Sequence, residues 1–249
     1  MTPTDISGEA EGLDAVAVVI VGRFNPAIFS PAWLRLHNLI GEEEAAEAKV
    51  QYIVPPAASF STNWLNVNVE EERLSLGTVV SHDFERLRDT AVGVLTVLNQ
   101  TPVAAMGINR ECHWRVDSPE RFHEFGDFLA PKAFWSDRLA LPGTQDLTIE
   151  SVRRDEWQGV VRVTVQPSVR IETGVYARVN QHLDLHKVDR QPEQRKDFEL
   201  QEFRRVPPEP SSDNVPLALE VLRQHWDRIA DENEQIVTDL RLLSQRGAE

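Results

Sequence analysis

Apolar positions in the first hundred residues follow two different periods. Ala15, Val16, Ala17, Val18, Val19, Ile20 and Val21 form an unbroken apolar run, as expected for a central strand covered on both faces. Ser30-Pro31 supplies a helix N-cap followed by Pro at the first helical position. Trp33, Leu34, Leu36, Leu39 and Ile40 continue it as a short amphipathic helix, and Gly41 is its expected stop. The acidic run from Glu42 to Glu47 reads as a solvated loop or a frayed helix end. Lys49 to Val54 reads as a strand ended by Pro55-Pro56. Leu65, Val67 and Val69 alternate with Trp64, Asn66 and Asn68, and the alternation resumes after Glu70-Glu71-Glu72 as Leu74, Leu76, Thr78 and Val80. This predicts an antiparallel hairpin with one face inward. Over residues 81–100 the period becomes 3.6, with Phe84, Leu87, Ala91, Val94, Leu95 and Leu98 on one helical stripe that Pro102 closes.

A second round follows. Residues 103–116 alternate as a strand with Met106, Ile108, Cys112, Trp114 and Val116 on one side. Ser118-Pro119 repeats the cap-plus-Pro signal, with Phe122, Phe125, Phe128 and Leu129 as its stripe. Three strands are predicted next, marked by Leu147 and Ile149, by Val161, Val163 and Val165, and by Val175, Ala177, Val179, Leu183 and Leu185. Residues 187–213 are charged and Pro-containing and read as a long mobile insertion. Residues 215–245 read as one long helix opened by Pro216, with Leu222, Ile229, Ile236 and Leu243 seven apart.

Both rounds run strand, helix, strand, strand, strand, helix, and self-similarity of this kind constrains the fold. The expectation is an α+β fold: one antiparallel sheet from two tandem β-α-β-β-β-α halves, with the long C-terminal helix packed on it. Residues 1–13 are a flexible leader, 14–102 the first half and 103–249 the second, within one compact domain. The order of elements resembles the saddle-shaped fold of the TATA-binding protein and its relatives.

Net charge is -14 with 40 acidic and 26 basic residues, which argues against general affinity for nucleic acid or anionic membrane. Cys112 is the only cysteine, so no intrachain disulfide and no Cys-rich metal site can form. The polar, acidic first residues lack signal-peptide order, and no apolar run reaches the ~20 residues that span a bilayer. A cytoplasmic protein is expected.

The order of residues 64–69, the helix 84–102, Met106-Gly107-Ile108-Asn109-Arg110, residues 177–185 and the closing helix also resembles a sporadically distributed bacterial family of uncharacterised proteins. In that family an Arg–aromatic pair stands where this chain has Gly107-Ile108. The resemblance implies a mobile-element or defence setting and no particular activity.

Candidate chemistry is sparse. His182, Asp184 and His186 share one face of a strand, and two His with one carboxylate is a ligand set of non-haem iron and zinc sites. The plainer reading is the wet side of a strand whose other side is Leu183 and Leu185. Cys112 and His113 are sequence neighbours, so a strand points them to opposite faces. Trp64, Asn66 and Asn68 in the first half, and Arg162, Tyr176, Arg178 and Asn180 in the second, are candidates for a polar sheet face that binds a partner. Asn109 and Arg110 join them through the family resemblance. No GxGxxG, GxxxxGK[ST] or GxSxG motif occurs, and no catalytic residue or cofactor is assigned. The leading expectation is a non-enzymatic interaction protein, an adaptor, sensor or neutralising partner, with a protein partner and a homodimer through the C-terminal helix as candidate assemblies. The alternatives are a metal-dependent hydrolase on His182, Asp184 and His186, and a nucleic-acid binder using Arg162, Arg170 and Arg178 on the sheet.

Overall fold

Nine strands form one antiparallel sheet in the order β2-β3-β4-β5-β1-β6-β9-β8-β7. The strands are β1 (Asp14–Gly22), β2 (Lys49–Val54), β3 (Ala57–Ser61), β4 (Asn66–Glu70), β5 (Arg73–Thr78), β6 (Val103–Arg115), β7 (Leu147–Val152), β8 (Trp157–Pro167) and β9 (Gly174–Lys187). The computed structural model describes residues 14–188 and 208–246. The expected leader and most of the expected insertion lie outside these residues.

The two halves meet at the pair β1–β6, where Val18 lies opposite Ile108 and Ala17 opposite Asn109. In each half the first strand sits at the centre and the last strand lies beside it, β5 next to β1 and β9 next to β6. The central place of β1 explains its unbroken apolar run: Val18 and Ile20 are buried on one side, and Val19 on the other. The first half carries a strand that the sequence pattern did not reveal. Pro55-Pro56 is the turn of a hairpin rather than the end of pairing, and β3 returns with Ala58 and Phe60 inward. Its outward Ala57, Ser59 and Ser61 are too small and polar to announce a strand.

Ser30 and Ser118 cap their helices as predicted. The Ser30 Oγ accepts from the Trp33 N–H at 3.1 Å, opening α1 (Pro31–Leu36). The Ser118 Oγ accepts from the Arg121 N–H at 3.3 Å, opening α4 (Pro119–Leu129). Helix α1 ends before Gly41. Asn38 takes a left-handed conformation (φ 56°), the Leu39 N–H reaches back to the Leu34 carbonyl at 2.9 Å, and the Asn38 N–H to Arg35 at 2.9 Å. That is the paired closure of a Schellman end, with Asn in the place usually held by Gly. The acidic run becomes a separate short helix, α2 (Glu42–Ala46), where the Glu44 carboxylate accepts the Gly41 N–H at 2.8 Å.

All helices that pack on the sheet take one face. Helix α3 (Phe84–Val97) buries Leu87, Ala91, Val94 and Leu95 against β1 and β5. A short α5 (Ala133–Ser136) lies in the connector after α4. The C-terminal helix is continuous but not uniform: α6 (Val215–Glu220) passes through a π turn (Val221–His225) into α7 (Trp226–Gln245). Leu222 and Ile229 enter the larger apolar core with β1, β3, β4, β5 and the first part of β6. Val237, with Ile236, Leu240 and Leu243 against it, enters a second core with β8, β9 and the end of β6. The seven-residue seam is therefore taken up by the chain's own sheet. Among the described residues no helix is long and apolar enough to cross a membrane.

Candidate partner-binding face

Alternation along the strands assigns the other face. One row of residues crosses seven strands: Asn66, Gly77, Ala17, Asn109, Asn180, Arg162 and Glu150. A neighbouring row runs Ser59, Asn68, Ser75, Val19, Gly107, His182 and Val160. Arg178 lies opposite Glu111, and Tyr176 opposite His113. Seven of the candidate residues, Asn66, Asn68, Asn109, Arg162, Tyr176, Arg178 and Asn180, thus share one face of one sheet.

The face is held by its own polar side chains towards its margins. On the first half the Ser59 hydroxyl donates to the Asn68 Oδ1 at 2.7 Å. On the second, Arg162 pairs with Glu150, its Nε 2.9 Å from the carboxylate, and the Thr148 and Thr164 hydroxyls are 3.1 Å apart. The His113 ring stacks 4.8 Å from Tyr176. Burial, aided by the charge of Arg170, holds the His113 imidazole below its ordinary pKa against the pull of Glu111. Burial, reinforced by Glu111, pushes the Tyr176 phenol up to about 12. The Ser168 Oγ is 2.9 Å from the His113 Nδ1, yet it already accepts the N–H groups of Arg170 and Ile171 at 3.1 and 3.0 Å. It serves as a turn cap that donates to the histidine, and a nucleophile is not activated by that arrangement.

The centre differs from the margins. Gly77, Ala17 and Gly107 leave a shallow floor beside two amides. The Oδ1 atoms of Asn109 and Asn180 are both buried, and neither has a hydrogen-bond donor. A Cβ placed on Gly107 would stand 3.7 and 3.8 Å from these two oxygens. Buried acceptors are normally satisfied, so a paired exception at the middle of an uncovered sheet is where a partner's donors are expected.

Two candidates are not on this face. The alternation around the first hairpin placed Trp64 with Asn66, but β4 begins only at Asn66 and Trp64 lies in the turn before it. The Thr62 Oγ1 fixes this turn by accepting the Leu65 N–H at 3.0 Å. Trp64 is buried, its Nε1 donates to Glu44 at 2.9 Å, and the Arg86 guanidinium stacks 4.1 Å above its ring. Burial works to raise the Glu44 pKa, but the Gly41 N–H, Arg86 and Trp64 outweigh it and hold the carboxyl below its ordinary range. Arg110 projects to the side opposite its neighbour Asn109. There it lies under α7, 3.2 Å from Asp14 and 3.1 Å from Glu234.

His182 and Asp184 do meet, Nε2 to Oδ1 at 3.1 Å. The chain then departs from strand geometry at Leu185 (φ 50°), whose side chain enters the core while His186 is exposed. Among the described residues no three His, Cys, Asp or Glu side chains gather so as to hold a metal ion. Gly107, Gly77 and Ala17 were missed as parts of the face, because only the strand register, and no residue type, marks them.

A separate cavity of about 340 Å³ lies between α4, the connector after it and the ends of β8 and β9, lined by Phe122, Phe125, Leu129, Leu147, Val165 and Val175. Its cation is already committed. Lys132 reaches the Ala130 carbonyl at 2.6 Å, the Gly126 carbonyl at 3.3 Å, the Thr144 hydroxyl and Asp127. Three ammonium protons against four acceptors leave none to orient an anionic ligand. No family model and no curated protein matches the chain.

Proposed function

We propose that this protein is a non-enzymatic interaction component, an adaptor, sensor or neutralising partner, which holds another protein on its uncovered sheet face. The observation that carries this reading is the pair of donorless amide oxygens of Asn109 and Asn180 at the centre of that face. A partner supplying N–H or O–H groups there would gain hydrogen bonds that the free protein lacks. Arg178, Arg162, Tyr176, Asn66 and Asn68 would orient it. The symmetric strand order about β1 and β6 supports the saddle-like reading of the two halves, and net charge of -14 favours a protein over a nucleic acid on the saddle.

The test is native co-purification with in-line light scattering, run in parallel on the wild type and on Asn109→Leu/Asn180→Leu. A stoichiometric partner held by the wild type and released by the folded double variant supports the reading. A wild-type chain that stays alone, or a partner retained by the variant, removes it.

A further inference from the structure

The two edges of the sheet are built differently. Edge strands present unpaired N–H and C=O groups, and natural proteins blunt them with charge, Pro or cover. The β7 edge carries Glu150 in its middle, ion-paired to Arg162. The β2 edge, Lys-Val-Gln-Tyr-Ile-Val, has no charge beyond its first residue, Lys49. All six of its residues are exposed. Val50, Tyr52, Ile53 and Val54 show 51%, 47%, 37% and 45% of their surface. Apolar side chains stand out on both faces of this strand. Its only strand partner is β3, with a register shift between Val50 and Tyr52.

Acidic groups bracket this edge. Glu42, Glu43 and Glu47, all exposed, lie on or beside α2 just before Lys49. At the other end Val54 lies opposite Ala57, which lies opposite Glu70, and the exposed Glu71 and Glu72 follow in the turn. Glu42 has one cation near it, Arg35 at 3.9 Å. Antiparallel pairing of β2 with a second copy would set each acidic end against the other's, between chains of charge -14 each. Like charges across a contact are repelled. A foreign strand with cations at its ends meets the opposite situation.

We infer that β2 is a docking edge for an extended segment of another protein, apolar at alternate positions and flanked by Lys or Arg, which adds to the sheet as a tenth strand. The main chain supplies the hydrogen bonds, Val50, Tyr52, Ile53 and Val54 supply the apolar contact, and the flanking glutamates select the partner. This surface is distinct from the polar face, and it stands whether or not Asn109 and Asn180 bind anything.

The probe is a labelled nonapeptide, Lys-Lys-Val-Thr-Val-Thr-Val-Lys-Lys, compared with its Glu-flanked counterpart by fluorescence anisotropy. The Lys-flanked peptide should bind at least about tenfold more tightly, and the preference should shrink as salt is raised. Ile53→Lys should abolish binding while keeping the thermal melt of the wild type. Should that variant melt early, Tyr52→Lys, at a more exposed position, takes its place. Hydrogen exchange should slow at β2 amides, and not at β7, when the peptide is added. Absence of binding, equal binding of the two peptides, or binding unchanged in both variants overturns the inference. A concentration-dependent homodimer lost in Ile53→Lys overturns it too, because a second copy would then be the occupant.

Discussion

Asn109 on β6 and Asn180 on β9 face one another across the pair of strands, with both side-chain oxygens buried and neither supplied with a donor. An arrangement of that kind lowers stability in the free protein, since an unsatisfied buried acceptor costs about 1–3 kcal/mol. Its retention is explained by binding.

The corresponding prediction is a trade between stability and association. Replacing both by Leu removes two unsatisfied oxygens over a floor that Gly107 keeps open. The unfolding free energy in urea should stay level or rise by up to about 2 kcal/mol, while partner binding is lost. A drop of more than about 1 kcal/mol would mean that the amides are structural hydrogen bonders.

Arg153 and Asp155 form the most enclosed ion pair among the described residues. Arg153 is 2% exposed, its Nε and Nη2 lie 3.0 and 2.5 Å from the two Asp155 oxygens, and its Nη1 lies 2.6 Å from the Gln181 Oε1. Arg228 on α7 adds a contact at 2.8 Å, tying the β7–β8 turn to the long helix. Asp155→Ala leaves a buried cation with reduced compensation and should cost about 3–5 kcal/mol in equilibrium unfolding.

The same carboxylate sets a pH dependence. Burial works to raise the Asp155 pKa, but Arg153 and Arg228 outweigh it and hold it below the ordinary value. Its folded-state pKa is depressed, so its stabilisation is fully present above the unfolded value of about 3.9. It is lost as pH falls through the lower folded value. Unfolding free energies measured from pH 6 downward should fall less steeply in Asp155→Asn than in the wild type; identical slopes would refute the assignment.

Cys112 reports on opening of the sheet–helix layer. It is fully buried, and burial pushes its thiol up to about 12 despite the nearby Arg110. Alkylation by iodoacetamide at pH 8 should be negligible in native protein, and should reach one thiol per chain in denaturant. Rapid labelling without denaturant would contradict the packing.

Gly159 admits no side chain. Its φ is 156°, and a Cβ there would lie 2.0 Å from the His182 carbonyl oxygen and 2.6 Å from the Arg153 Cδ. Gly159→Ala should destabilise by more than about 2 kcal/mol. The loss should be less than additive with that of Arg153→Met, because the two disturb the same contact. Strict additivity would show that the two positions are uncoupled.

Much of this architecture was legible in local chemistry. Ser30 and Ser118 announce their helices, and the alternations around Val67, Leu76 and Val163 assign strand faces without reference to any partner. Legibility fails where distant pairing decides. Trp64 continues a period-two pattern but lies outside the strand, since Thr62 turns the chain there. Arg110 sits beside Asn109 in the sequence and on the opposite side of the sheet. The closure of α1 was assigned to Gly41 because Gly usually fills that place, and Asn38 fills it here. Gly77, Ala17 and Gly107 become one floor only through the register of β5, β1 and β6, which no short window contains.

The π turn at Val221–His225 has a consequence for how this chain tolerates change in length. Because the turn carries more residues than an α-helical turn, removal of a single residue within it could restore ordinary helical geometry. It would also rotate everything downstream by about 100° relative to α6. Asn233, Val237 and Ser244, now buried, would swing away from the sheet, while Val215 and Ala218 stayed in place. The helix spans both apolar cores, so the lesion would strip the second half of its cover and leave the first half's intact. A genetic screen that samples deletions should therefore find this segment as intolerant as the core strands, although its substitutions, judged one by one, look like those of any helix.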